Sequence, residues 1–68
     1  MIEFAPISEY DMTYEEAVIY CRFCDHNGYK DWRMPTYEEL KQHDMLYCWY
    51  LNDFDSESFE VIPVRDTG

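Results

Sequence analysis

The side chains best suited to chemistry in this sequence are three cysteines and two histidines. Cys21-Arg22-Phe23-Cys24 is a Cys-x-x-Cys, and with His26, His43 and Cys48 it offers thiolate and imidazole ligands for a tetrahedral zinc ion. Zinc-binding pairs usually sit on a knuckle or hairpin, whereas Cys21 and Cys24 fall inside an expected helix, on its apolar stripe. A free cysteine there behaves as a small buried hydrophobe. Core packing is the preferred reading, with zinc at Cys21, Cys24 and Cys48, or a redox pair, as the alternatives. Asn52-Asp53-Phe54-Asp55-Ser56-Glu57 sets hard oxygen donors at alternate positions, so Asp53, Asp55 and Glu57 are the calcium candidates. No glycine occupies an EF-hand turn position and no distal bidentate glutamate follows, which favours a solvated turn. His26 and His43 have no nucleophile nearby in sequence, and no Ser/His/Asp order, P-loop or Gly-rich dinucleotide loop is present. The sequence predicts a protein that is not an enzyme and takes no cofactor.

The elements that hold these residues are signalled by two helix starts. Thr13-Tyr14-Glu15-Glu16 and Thr36-Tyr37-Glu38-Glu39 are the same capping box. In each, the Thr hydroxyl accepts the N–H three residues on and the Glu carboxylate reaches back to the Thr N–H. Met12 with Ala17, and Pro35 with Leu40, supply the hydrophobic staples. The first helix is expected over Tyr14–Asp25, with Tyr14, Ala17, Val18, Cys21 and Cys24 facing inward and Asn27-Gly28 as its left-handed stop. The second is expected over Tyr37–His43, anchored by Leu40. Pro35 pushes Met34 into an extended conformation. Leu46–Leu51 and Ser58–Val64 read as the arms of a β-hairpin, with Asn52–Glu57 as its turn and Pro63 at a strand end or edge. Ile2–Ala5 is a short N-terminal strand. The fold class is α+β, two short helices packed on a small antiparallel sheet in the order β-α-loop-α-β-β.

Sixty-eight residues hold one small domain, residues 1–68. A chain this short hides only about 60% of its unfolded surface. Hydrophobic residues make up 47% of it and aromatics 19%, which excludes disorder despite a net charge of −10. The five basic residues, Arg22, Lys30, Arg33, Lys41 and Arg65, are dispersed along the sequence, so no basic stripe is expected. Direct nucleic-acid binding and attachment to an anionic membrane are excluded on that ground. No apolar run reaches the roughly 18 residues of a membrane span, and no cleavable signal is expected. The odd cysteine count points to a reducing compartment, cytoplasmic or virion-associated.

The stretch Asp11-Met12-Thr13-Tyr14-Glu15-Glu16-Ala17, Tyr20-Cys21 and Gly28-Tyr29-Lys30-Asp31-Trp32-Arg33-Met34-Pro35-Thr36-Tyr37-Glu38-Glu39-Leu40 resembles the Lcl C-terminal domain family, with its T-W-x-x-A, Y-C and G-Y-x-D-W-R-L-P-T-x-x-E-L pattern. Val61-Ile62-Pro63-Val64-Arg65 is similar to that family's closing strand. The sulfatase-modifying family is a looser relative, and its catalytic cysteines lie in a region this chain lacks. The resemblance implies a pared-down C-type-lectin-like fold whose first and last strands pair. The family's domain is longer, and loops between Leu40 and Tyr47 are missing here. The motif residues Gly28, Trp32, Arg33, Pro35, Thr36 and Glu39 take structural roles. Gly28 frees the helix end, Trp32 anchors both helices, touching Ala17 or Cys21 and Leu40, and Arg33 pairs with Glu39 or Glu16.

The function expected on these grounds is that of a small acidic structural or protein-interaction module that self-associates. Tyr47-Cys48-Trp49-Tyr50 carries aromatics on both faces of a strand, so Tyr47, Trp49 and Tyr50 are the expected interaction face of a homodimer that tightens as salt screens the carboxylates. The alternatives are an acidic decoy that occupies a basic, nucleic-acid-binding protein partner, as small virus-encoded inhibitors do, and a glycan-binding module by family analogy.

Overall fold

The computed structural model describes residues 1–53 and 57–67. Its elements are β1 (Ile2–Phe4), α1 (Tyr14–Arg22), α2 (Tyr37–Gln42) and β2 (Val64–Asp66). The α+β class therefore holds: two short helices accompany a two-stranded antiparallel sheet, in which Ile2 faces Asp66, Glu3 faces Arg65 and Phe4 faces Val64. The first and last strands pair. The pairing continues beyond the named strands through single hydrogen bonds from Ala5 N–H to Pro63 O and Ser8 N–H to Val61 O, and through a bridge in which Met12 and Phe59 exchange both. The C-terminal segment is the spine of the molecule. Its other edge is met by Arg33, which exchanges two backbone hydrogen bonds with Val64, and by Trp49, whose N–H reaches Glu60 O.

Both capping boxes form. Glu16 and Glu39 accept the backbone N–H of Thr13 and Thr36, and each Thr hydroxyl accepts the N–H of its Glu. Helix α1 stops three residues short of the expected Asp25, because Phe23 leaves helical geometry as its cap. Asn27 and Gly28 do not end it. They form the two-residue turn of a miniature hairpin in which His26 and Tyr29 exchange both backbone hydrogen bonds. Their φ angles of 59° and 82° are the paired positive values that such a turn requires. Helix α2 ends in a Schellman motif: Met45 N–H bonds Leu40 O and Asp44 N–H bonds Lys41 O, with Asp44 left-handed.

The expected hairpin between Leu46–Leu51 and Ser58–Val64 is replaced by one isolated parallel bridge, Cys48 to Glu60. Two turns break the first arm, Cys48 N–H to Met45 O and Asp53 N–H to Tyr50 O, and Asn52 adopts a φ of 67°. The N-terminal segment takes the antiparallel place instead. Pro63 lies just before β2, where its missing N–H interrupts no ladder bond.

Two apolar clusters fill the interior. One joins Met12, Ala17 and Cys21 to Met34, Trp49 and Val61, and the other joins Leu40 to Cys48 and Ile62. Trp49 is the keystone. It is fully buried, meets Tyr14 and Phe59 edge-on at 5.5 and 5.0 Å, and donates its indole N–H to Met12 O at 2.6 Å. Its expected outward role is thereby corrected: the strand that was to show one aromatic face to solvent is interrupted, and the turns around it direct the indole inward. Trp32 is also buried but belongs to neither cluster; it lines a groove with Cys21 of α1. Its indole N–H bonds Tyr29 O and its ring meets His26 beside the miniature hairpin. Ser8, the buried polar residue, accepts Val61 N–H and donates to Tyr10 O.

Candidate interaction surface

The conspicuous motif residues hold the scaffold together. Arg33 forks onto Glu39 at 3.0 and 2.9 Å and reaches Asp66 at 2.8 Å, tying the start of α2 to the end of β2. Glu16, the alternative partner expected for Arg33, is committed to its own cap. The Arg33 guanidinium, helped by the Thr36 N–H, lowers the Glu39 carboxyl to about 2. Arg65 repeats the device: it bonds Asp31 and Glu3 and lies 3.6 Å over the Tyr29 ring. Pro35 is buried before α2, and its carbonyl accepts Leu51 N–H. Gly28 serves the miniature hairpin.

The zinc candidates are held apart by the core. Cys21 lies in the cluster of Trp49 and points its thiol at the Met34 sulfur, 3.6 Å away, while Cys48 lies in the cluster of Leu40. Burial pushes Cys21 up to about 12 and Cys48 up to about 11, and Cys24 is raised as well. These are packed thiols, the reverse of the thiolates that bind metal or attack disulfides. His26 faces Trp32 and His43 faces Phe4 at 4.7 Å. Among the described residues no three His, Cys, Asp or Glu side chains gather closely enough to hold a metal ion. Of the calcium candidates, Asp55 lies outside the described residues, and Asp53 and Glu57 flank that gap.

Of the expected interaction face, Tyr47 is exposed, Tyr50 is half-buried against the Tyr37 ring at 5.2 Å, and Trp49 is inside. Leu46 and Leu51 are also about half exposed beside Tyr47, and a further group of exposed apolar residues lies on the outer side of α1. Phe23 is 78% exposed, Tyr10 61% and Ile19 56%. They line one concavity of about 640 Å³ with Met12, Tyr20 and Cys24, and its polar residues are Glu16 and Asp25. The Tyr20 hydroxyl is pushed up by burial and by the neighbouring Cys24, Tyr10, Cys21 and Glu9. The sequence did carry a signal for this surface. Ile19 and Phe23 are one helical turn apart and fall opposite the inward pair Ala17 and Cys21.

A second concavity of the same size flanks the other side of α1 and has the opposite charge. Arg22, Lys30 and Arg33 surround a floor to which Tyr14, Val18 and Leu51 contribute. Three of the five basic residues, dispersed in sequence, thus converge on one groove of a chain of net charge −10. Among the described residues no helix is long and apolar enough to cross a membrane. No protein-family model matches this chain, and no curated protein and no solved structure matches it.

Proposed function

We propose that the protein is a small interaction module whose docking surface is the outer face of α1, and that its partner presents a basic, amphipathic segment. One observation carries this reading: Ile19 of α1 and Phe23 at its C-cap stand exposed together, opposite a helix face that already fills the core. Contiguous apolar surface of that kind marks association sites. The rim favours a basic partner. Glu15, Glu16 and Asp25 are all exposed beside the patch, and the Glu16 carboxyl is held down by its bonds from Thr13, so it stays charged. Such a rim attracts Lys and Arg, and in a face-to-face pair of copies its carboxylates would oppose one another. The resemblance to the Lcl C-terminal domain would bring a fold alone, and a fold brings no ligand with it.

The test uses a synthetic amphipathic helix with Leu on one face and Lys on the other, titrated against the whole chain. Saturable binding that weakens with salt, and that falls at least about tenfold in Phe23→Ser and Ile19→Ser, is expected. Equal binding by both variants overturns the assignment of the face. A dimer that dissociates on Phe23→Ser would instead assign that face to a second copy.

A further inference from the structure

The groove on the opposite flank of α1 has a charge that the interaction surface does not use. Arg33 is already held by Glu39 and Asp66, so its hydrogen-bond donors are largely spent and it contributes positive field. Arg22 forms no ion pair among the described residues, and Lys30 has only Asp25 at 3.9 Å, with both side chains mostly in water. Two cationic heads therefore stand available at the rim. Below them Val18 is half-buried and Leu51 is 48% exposed, so among the described residues the floor is apolar and partly open. A concavity of about 640 Å³ falls within the size range of small-molecule sites.

We propose that this groove binds a small amphipathic carboxylate, with its headgroup between Arg22 and Lys30 and its apolar body along Tyr14, Val18 and Leu51. The charge balance selects the class. A polyanion is repelled by the net charge of −10, whereas a single carboxylate meets the local cations at short range, where distant carboxylates are screened. A neutral apolar molecule gains the floor and forfeits the rim. The association is reversible, since the nearby Cys21 thiol is buried and engaged with Met34.

The experiment titrates the intact chain with decanoate, with decanol and with inorganic phosphate, following backbone amide shifts. Saturable decanoate binding tighter than about 1 mM, with shifts centred on Val18, Arg22 and Leu51, is expected. Decanol should bind about tenfold more weakly, and phosphate should not saturate. Arg22→Gln and Lys30→Gln should each weaken decanoate roughly 3- to 10-fold, and Leu51→Glu should abolish binding. Phe23→Ser, on the other flank, should leave it unchanged. Equal affinities for decanoate and decanol, shifts centred on Ile19 and Phe23, or no saturation below about 1 mM would each overturn the proposal.

Discussion

The indole N–H of Trp49 meets the carbonyl oxygen of Met12 at 2.6 Å, joining residues 37 positions apart in the middle of the core. That same carbonyl accepts the N–H of Phe59, so a single peptide oxygen gathers the N-terminal segment, the central loop and the C-terminal spine. Trp49→Ala should cost about 3–5 kcal/mol, enough to unfold so small a domain. Trp49→Phe should cost less, because Met12 O keeps its backbone partner. Trp32→Ala should also cost less than Trp49→Ala, since Trp32 lies outside both clusters. Urea unfolding of the three variants checks the order, and an equal loss at Trp32 and Trp49 would contradict it.

The Arg33–Glu39 fork makes stability depend on pH in the acid range. The folded-state value of Glu39, about 2, lies below its ordinary 4.5. Its contribution is therefore whole above about pH 4.5 and is lost as pH falls through about 2. Solvent around the half-buried Arg33 limits that contribution to about 1–2 kcal/mol. Glu39→Gln can still cap Thr36 but carries no charge, so it should lower stability at neutral pH and flatten the acid slope. Parallel stability curves for the two proteins between pH 2 and 5 would refute this.

Thiol labelling at pH 8 should distinguish the three cysteines. Cys24, half-buried at the edge of the acidic groove, should react first, while Cys21 and Cys48 should wait for unfolding. Release of all three at once from the native protein would disprove their packing. A chelator should leave the melting temperature unchanged, and a drop on chelation would revive zinc.

Gly28 has a φ of 82° and nothing within 4 Å of an added Cβ, so a substitution there meets backbone strain alone. Gly28→Ala should cost about 1 kcal/mol. A neutral or stabilising effect in thermal unfolding would argue against the positive-φ turn between His26 and Tyr29.

Local chemistry made the helices readable. A Thr followed by Glu at the third position satisfies its own backbone, so Thr13 and Thr36 announce α1 and α2 without any tertiary help. The Arg33–Glu39 pair was legible for the same reason, since the two lie six residues apart across one cap. The strand partner of Val64 was not legible locally, and only the resemblance implied that the first and last strands pair. Val64 pairs with Phe4, 60 residues away, and also bonds Arg33, and nothing local in Val61–Arg65 distinguishes those partners from Tyr47–Tyr50. The direction of Trp49 followed from that choice, which took its indole out of the expected face and left Tyr47 exposed. The basic groove was hidden because Arg22, Lys30 and Arg33 converge only after the chain turns back at Asn27-Gly28.

The C-terminal spine also sets the order of events during synthesis. Residues 59–66 leave the ribosome after everything they hold together, and nine- and six-residue helices do not persist alone in water. The nascent chain therefore has no stable intermediate to rest in, and folding waits for long-range closure, the slow kind of contact. A chain truncated before Phe59 is then a substrate for proteases rather than a smaller domain, so a premature stop there yields no partly working product.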